Sequence, residues 1–317
     1  MTEMRTALVS VICTTYNHRP FIEQAIDSFL MQQTNFPFEI ILHDDASTDG
    51  TSDIIRIYAA KHPHLIVAVI QPENQYSKGV MPLGQSAITY AKGKYVAWCE
   101  GDDYWIDPLK LQKQVDCIEQ HPEYSMVFTN NRLLTKDGQS KDSIDYKKNL
   151  YTSADVIGGF IPGSQTMLFR NLPGIKLFYD KQKIKRSGDM YLSYFCSLFG
   201  DLYKLEEVTA VYRKAGQGVW TSLEPLQKIQ NLTRDTEWMH LSLGLPQNND
   251  VLAALSFRCA INTFTYCLKR PSFFAQSLNR AFIFQPLQKF HRMNRLKLVW
   301  GAIVLKMQGI KDVRKRN

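Results

Sequence analysis

The sequence lacks the short motifs that mark several common classes of binding site. It has no GxxxxGK[ST] loop and no GxGxxG turn, which excludes the P-loop and dinucleotide modes of phosphate binding. It also has no CxxC pair and no histidine at the spacing of a zinc site. The six cysteines are scattered, mostly in apolar surroundings: Cys13, Cys99, Cys117, Cys196, Cys259 and Cys267. We therefore predict reduced thiols and a reducing compartment.

Long apolar runs are scarce as well. Residues 7–13 are too few and wrongly flanked for a secretory signal, and they are better interpreted as a first strand. Residues 296–305, LKLVWGAIVL, are too few to span a bilayer, which needs roughly 20 apolar residues. This segment either packs on the body of the protein or lies on an anionic membrane surface. We expect a cytoplasmic protein, either free or peripheral on the inner face of the membrane.

The excess of positive charge is confined to the C-terminal tail. The chain of 317 residues has a formal net charge of +8. After Pro286 there are nine Lys and Arg side chains against the single acid Asp312, whereas the preceding residues carry 29 basic and 29 acidic side chains. A neutral body without a recognition motif argues against nucleic acid as a partner.

The first half of the sequence alternates between strand-like and helix-like patterns. Near-continuous apolar strands separated by helices predict an α/β fold with a mostly parallel central sheet flanked by helices. The predicted strands are residues 8–13, 39–42, 65–70, 95–99 and 125–129, and the predicted helices are residues 21–32, 52–61, 85–92 and 108–120. Asp107 and Pro108 supply an N-cap and a first helical position for the last helix.

Acidic residues follow two of these strands. Asp44 and Asp45 end the second strand, and Glu100, Asp102 and Asp103 end the fourth. The carboxyl ends of parallel strands share one edge of a sheet, where ligands bind. Each segment alone could be a capped turn or a solvated surface turn, but their pairing favours a divalent cation that also grips a diphosphate. Mg²⁺ or Mn²⁺ suits these ligands.

Four strings in order resemble the glycosyltransferase family 2 enzymes, which have the GT-A fold. They are VSVICTTYNH, AIDSFLMQQ, FEIILHDDASTDGT and AKGKYVAWCEGDDYWIDPLKLQKQ, and they cover about the first 130 residues. The resemblance implies a GT-A nucleotide-diphospho-sugar transferase domain over residues 1–222. Its nucleotide-binding half is residues 1–131, its acceptor half is residues 132–222, and residues 223–317 form a helical C-terminal region with the basic tail.

The resemblance also implies roles for individual residues. In the family the TxYN segment and the second Asp of the DDxSxD stretch line the nucleoside pocket, the DxD-type motif holds ribose and metal, and an Asp at a helix start is the catalytic base. The implied nucleotide-binding residues are Thr14, Tyr16, Asn17, Asp45, Glu100 and Asp102. The implied metal ligands are Asp102 and Asp103, and the implied base is Asp189. Trp105 and Trp220 are the implied acceptor or sugar platforms, unless these two pack in the core.

The implied reaction is transfer of a sugar, with inversion, from a nucleoside-diphosphate donor. The donor would be a UDP-sugar carrying a hexose or N-acetylhexosamine, the acceptor a saccharide or lipid-linked saccharide, the cofactor Mn²⁺ or Mg²⁺, and the process polysaccharide biosynthesis. Two alternatives stay open: a sugar-phosphate nucleotidyltransferase, which would need a glycine-rich basic loop that TTYNHRP does not provide, and a non-catalytic relative that binds a nucleotide sugar.

Two positions depart from the family pattern. Many relatives carry a donor-binding Arg shortly before the AxGxY stretch, where this chain has Gly84 and Gln85. Relatives with a YRxHxxGxW segment have a His that assists at the metal or the diphosphate, where this chain has Ala215. Arg213 or Lys214 could neutralise phosphate charge instead, and the strength of metal dependence is left open.

Overall fold

The computed structural model describes residues 6–143, 148–157, 160–182 and 188–214. All of these residues belong to one compact unit of the chain, Met1–Ser222. The predicted helical region 223–317, its basic tail, Trp220 and Ala215 lie outside the described residues. The domain boundaries and the helical extension therefore stay predictions.

Strands and helices alternate through the first half of the chain and become less regular after it. The strands are β1 (Val9–Thr15), β2 (Phe38–Asp44), β3 (Ile66–Ile70), β4 (Tyr95–Glu100), β5 (Tyr104–Trp105), β6 (Tyr124–Thr135), β7 (Ser140–Ser143), β8 (Leu150–Tyr151), β9 (Leu168–Arg170) and β10 (Asp201–Lys214). The helices are α1 (Ile22–Leu30), α2 (Thr51–Lys61), α3 (Lys110–Gln120), α4 (Ser153–Ile157), α5 (Ile175–Gln182) and α6 (Gly188–Ser197).

One mixed sheet contains all of these strands. Its main path runs β3-β2-β1-β4-β9-β6-β10-β5, with β7 on β6 and β8 on β10. The pairs from β3 through β4 are parallel, as are β6 and β10, whereas β9 is antiparallel to both β4 and β6. The predicted parallel arrangement is thus found in the nucleotide-binding half, and the antiparallel pairs join it to the acceptor half.

The five strands predicted from apolar runs are confirmed as β1, β2, β3, β4 and β6. Strand β1 is buried along its whole length, as expected for a central strand covered on both faces. Helix α1 places Ile22, Ile26 and Phe29 in the core below it, all fully buried.

One predicted helix is wrong, and another begins later than predicted. Instead of a helix over residues 85–92, the structure has a π turn, Pro82–Ser86, followed by a 3-10 turn, Ala87–Tyr90. Long-range contacts hold this segment: Gly84 packs against Tyr179, and Ser86 Oγ is hydrogen-bonded to His43 Nε2 at 2.8 Å. Helix α3 begins at Lys110, and Asp107 Oδ1 accepts a hydrogen bond from Leu109 N at 2.8 Å one turn earlier. Within the described ranges, no helix combines the length and apolar character needed to cross a membrane.

Candidate active site

The polar segments that follow β1, β2 and β4 meet at one edge of the sheet. Thr14 is paired with Glu100 in the register of β1 and β4, and Thr15 is paired with Asp44 in the register of β1 and β2. The segment after β1 therefore lies between the two acidic segments. The structure brings together the residues that the sequence assigned to a single crevice.

The acidic cluster consists of Glu100, Asp102 and Asp103. One carboxylate oxygen from each residue lies within 4.8 Å of the others. Asp103 is fully buried; its Oδ1 accepts a hydrogen bond from Arg213 N at 2.8 Å, and its Oδ2 has no hydrogen-bond partner among the described residues. Crowded carboxylates with an unpaired buried oxygen are stabilised either by a positive partner or by uptake of a proton.

Burial and mutual repulsion make this cluster hard to ionise. Burial, followed by the charges of Asp102 and Asp189, raises the pKa of Glu100 to about 8. Burial and Asp102 likewise raise the pKa of Asp103 well above its ordinary value, against the opposing hydrogen bond from Arg213. Hard oxygen ligands of this kind fit Mg²⁺ or Mn²⁺, with Asp102 and Asp103 as the candidate ligands and Glu100 beside them.

Gly101 lets the acidic segment approach β1 closely. A Cβ atom at this position would lie 2.7 Å from Thr15 Oγ1 and 3.1 Å from His18 Nδ1. Both of these atoms are buried without a hydrogen-bond partner in the described part of the chain. His18 Nδ1 is 4.0 Å from Asp102 Oδ1, and burial lowers the pKa of the imidazole despite that carboxylate. Thr15 Oγ1, at the end of β1, and His18 Nδ1, in the loop after it, thus lie next to the acidic segment without a hydrogen-bond partner among the described residues.

The loop after β1 is anchored by the loop after β2. Asn17 has a φ of 57°, its N donates to Ser47 Oγ at 2.8 Å, and its Oδ1 accepts from Thr48 N at 2.9 Å. Asp44 accepts hydrogen bonds from the hydroxyls of Ser47 and Ser52. The polar residues of DDASTDGT therefore hold the TTYNH loop in place, and Asn17 takes part in this framework.

Asp45 is buried and already holds the segment that follows β3. Its Oδ1 accepts from Gln75 N at 2.7 Å and its Oδ2 from Tyr76 N at 3.0 Å. A carboxylate has about four lone-pair sites, so these bonds leave room for a contact to a base. With or without such a contact, Asp45 holds the segment after β3 at this edge of the sheet.

Thr14 and Tyr16 differ in their availability to a ligand. The Oγ1 of Thr14 accepts a hydrogen bond from Trp98 Nε1 at 3.1 Å, and Thr14 is buried. The side chain of Tyr16 is 44% exposed at the end of the same strand. Of the two predicted nucleoside contacts, Tyr16 is the one that presents an open aromatic surface.

Asp189 lies in the first turn of α6 and approaches the cluster from the acceptor half. Its Oδ1 accepts a hydrogen bond from Met190 N at 2.8 Å. Burial raises its pKa above the ordinary value, and its charge in turn contributes to the raised pKa of Glu100. A carboxylate with a raised pKa at a helix N-terminus is suited to accept a proton near neutral pH.

Comparison with known proteins agrees with this arrangement. The model of "Glycosyl transferase family 2" matches residues 10–173, which is more than half of the chain. The chain belongs to glycosyl transferase family 2. It is 36% identical over 218 residues to an uncharacterized protein of Mycobacterium tuberculosis, a match covering 68% of this chain and 61% of that protein. It is 33% identical over 234 residues to the putative teichuronic acid biosynthesis glycosyltransferase TuaG of Bacillus subtilis, covering 74% and 90% of the two chains.

Solved structures show the same GT-A fold. TarS of S. aureus in complex with UDP-GlcNAc aligns with a TM-score of 0.56 at 19% identity, covering 81% of this chain and 73% of TarS. The mannosyltransferase PcManGT of Pyrobaculum calidifontis, in complex with GDP-Man and Mn²⁺, aligns with a TM-score of 0.54 at 19% identity, covering 95% and 87%. The family 2 domain of this chain is therefore an α/β nucleotide-sugar transferase fold.

The family resemblance did not reveal what Arg213 does. Its Nη1 donates to the carbonyl oxygen of Asp102 at 2.6 Å, its Nη2 donates to Gln24 Oε1, and its guanidinium lies 4.3 Å from the ring centroid of Tyr104. Arg213 thus anchors the acidic segment of this family 2 chain, residues 100–103, to β10. The signal available in sequence was only the Arg of the YRxHxxGxW segment, without its partners.

The structure corrects the prediction that Trp105 is a sugar platform. Trp105 is 1% exposed, its Nε1 donates to the carbonyl oxygen of Gln165 at 3.0 Å, and its ring contacts Phe29 edge to face at 4.7 Å and Lys110 Nζ at 4.6 Å. A ring covered in this way cannot stack on a sugar, so Trp105 has the core role that the sequence left open. Trp220, the other predicted platform, lies outside the described residues.

Proposed function

We propose that this chain transfers a sugar from a UDP-sugar to a hydroxyl of a saccharide or lipid-linked saccharide, with inversion at the anomeric carbon. The proposal is supported by the cluster Glu100, Asp102 and Asp103 and by Asp189, a separate carboxylate in the first turn of α6 whose charge contributes to the raised pKa of Glu100. In this proposal one site combines a place for a cation and diphosphate with a base from the acceptor half.

The proposed chemistry is a single displacement. The acceptor O–H gives its proton to an Asp189 carboxylate oxygen while the acceptor oxygen attacks the anomeric carbon. The bond from that carbon to the diphosphate oxygen breaks, and its electron pair leaves with the nucleoside diphosphate. Attack opposite the leaving group inverts the anomeric centre. A divalent cation, when bound at Asp102 and Asp103, neutralises negative charge on the leaving diphosphate.

The donor, acceptor and location are supported by separate observations. The TarS structure contains UDP-GlcNAc and the PcManGT structure contains GDP-Man, so the proposal of a UDP-sugar rests on the family resemblance, and the assay distinguishes hexose from N-acetylhexosamine. The name of TuaG refers to teichuronic acid, which favours a cell-surface polysaccharide as the product. The cysteines Cys13, Cys99, Cys117 and Cys196 are free thiols, which favours a cytoplasmic reaction. The basic tail would bring the chain to the inner face of a membrane that carries a lipid-linked acceptor.

The test compares Asp189→Asn with the wild type. Release of UDP is measured from UDP-glucose, UDP-galactose and UDP-N-acetylglucosamine with Mn²⁺ and saccharide acceptors, and UDP binding is measured by calorimetry. We expect Asp189→Asn to lower turnover by about 10²- to 10⁴-fold, the usual contribution of a general base, with UDP affinity unchanged. The matched control Asp180→Asn removes an exposed aspartate of α5 paired with Lys176 at 2.7 Å and should retain full turnover.

Three results would contradict the proposal. Unchanged turnover in Asp189→Asn would show that Asp189 is not the catalytic base. Release of pyrophosphate from a nucleoside triphosphate and a sugar phosphate would indicate a nucleotidyltransferase. Tight UDP-sugar binding with no turnover of any donor in the wild type would indicate a non-catalytic relative.

A further inference from the structure

The connection between β3 and β4 packs against α5 at Gly84. A Cβ atom on Gly84 would lie 2.3 Å from Cδ2 and 2.4 Å from Cε2 of Tyr179. The ring of Tyr179 therefore rests directly on the backbone of the π turn, in space that any side chain at residue 84 would need. Tyr179 itself is fully buried.

The other end of Tyr179 reaches the N-terminus of α6. Its hydroxyl donates a hydrogen bond to the carbonyl oxygen of Gly188 at 2.5 Å. Burial, followed by the charge of Asp189, raises the pKa of Tyr179 well above its ordinary value, so the hydroxyl stays a donor across the working pH range. Gly188 also approaches the same connection closely, because a Cβ atom on it would lie 2.8 Å from Met81 Cε.

These contacts connect the nucleotide-binding half of the protein to Gly188, the residue before Asp189. The π turn is part of the wall that precedes β4, and β4 ends in Glu100 of the acidic cluster. Gly188 is the first residue of α6, and Asp189 is the second. A shift of the Gly188 carbonyl would move the Asp189 carboxylate relative to the cluster.

We propose that Tyr179 is a positioning residue that sets Asp189 at the correct place for proton transfer by fixing the start of α6 against the nucleotide-binding half. This inference rests on the proposed function, in which Asp189 is the base. Tyr179 does not touch the reacting atoms in this account. We expect its effect on the catalytic step and not on donor binding, because the predicted nucleotide-binding residues lie on β1 and β4 and in the loops after β1, β2 and β4.

The test is Tyr179→Phe, which keeps the ring on Gly84 and removes only the hydrogen bond to Gly188. We expect kcat to fall by about 10- to 100-fold, as misplacement of a catalytic group by about 1 Å does, with the KM for the UDP-sugar unchanged. Tyr179→4-aminophenylalanine keeps a donor at the same position and should recover most of the lost kcat. Tyr194→Phe, which alters another buried tyrosine located on α6, should keep the wild-type kcat.

The variants are measured beside Asp189→Asn, so that the two proposals can fail separately. If Asp189→Asn is inactive while Tyr179→Phe has the kcat of the wild type, the role of Tyr179 is refuted and the proposed function stands. If Asp189→Asn retains full kcat, both proposals are refuted. If Tyr179→Phe is too unstable to assay, the kcat of the 4-aminophenylalanine variant is compared with that of Gly84→Ala, and we expect the first to stay near the wild-type value and the second to fall. Gly84→Ala places a methyl group against the ring and should lower kcat, and an unchanged kcat in that variant would contradict the inference.

Discussion

Replacement of Arg213 by Met tests whether this side chain holds the acidic segment in place. Arg213 donates to the carbonyl oxygen of Asp102 at 2.6 Å, and its guanidinium lies 4.3 Å from the ring centroid of Tyr104 and 5.1 Å from that of Phe21. Met keeps most of the aliphatic stem but loses the charge and the donors. The backbone bond from Arg213 N to Asp103 Oδ1 is not removed by the substitution.

The expected loss follows from these contacts. A hydrogen bond from a charged donor contributes about 1.5–3 kcal/mol, and each partly exposed cation–π contact about 0.5–1 kcal/mol. Because contributions in one cluster are not additive, we expect Arg213→Met to lower the free energy of unfolding by about 2–4 kcal/mol. Arg213→Lys keeps the charge but not the planar fork, and it should lose about half as much.

Urea unfolding, followed by tryptophan fluorescence, measures this loss from the transition midpoint at constant slope. Arg132→Met is the control, because Arg132 is paired with Asp142 at the surface of β6 and β7 and such pairs contribute little. In Arg213→Met we also expect a higher KM for the UDP-sugar, since the acidic segment loses its anchor. An unfolding free energy within about 0.5 kcal/mol of the wild type, the range of neutral surface substitutions, would refute the anchoring role.

Two further predictions concern buried residues near the site. Burial lowers the pKa of Lys110 to about 7, so the unfolded chain binds more protons above that pH and stability should rise with pH. In urea titrations from pH 7 to 8.5 the wild type should gain up to about 1.4 kcal/mol per pH unit relative to Lys110→Met, and parallel curves would contradict this. A Cβ atom in Gly101→Ala would lie 2.7 Å from Thr15 Oγ1, so this variant should lose about 1–3 kcal/mol of stability by overpacking. It should also bind UDP more weakly, and wild-type values for both would show that the close approach is unimportant.

The nucleotide-binding half could be predicted well because its strands carry a strong local signal. Strand β1 is buried at every position, and the near-continuous apolar runs of β2 and β4 identify them before any contact is known. Parallel pairing then places the acids of two loops at one edge without further information. Residues 85–92 were predicted incorrectly as a helix, and the turn that begins this segment packs at Gly84 against Tyr179, a contact with a residue far away in sequence.

The parts of the site that could not be predicted depend on long-range contacts. Trp105 follows the acidic segment directly, yet its ring turns into the core against Phe29, which the pattern of residues does not indicate. Arg213 reaches Asp102 across more than a hundred residues. Periodicity and motif spacing describe neighbours along the chain, so they cannot identify such partners.

The most direct test of the account is whether a divalent cation links the acidic cluster to a nucleoside diphosphate. Calorimetric titration of UDP into the protein, with and without Mn²⁺, should show binding strengthened by at least about tenfold by the metal, or about 1.4 kcal/mol. In Asp103→Asn this strengthening should disappear while the weaker, metal-free binding remains. Equal UDP affinity with and without Mn²⁺ in the wild type, or an Asp103→Asn variant that responds to the metal as the wild type does, would contradict the account.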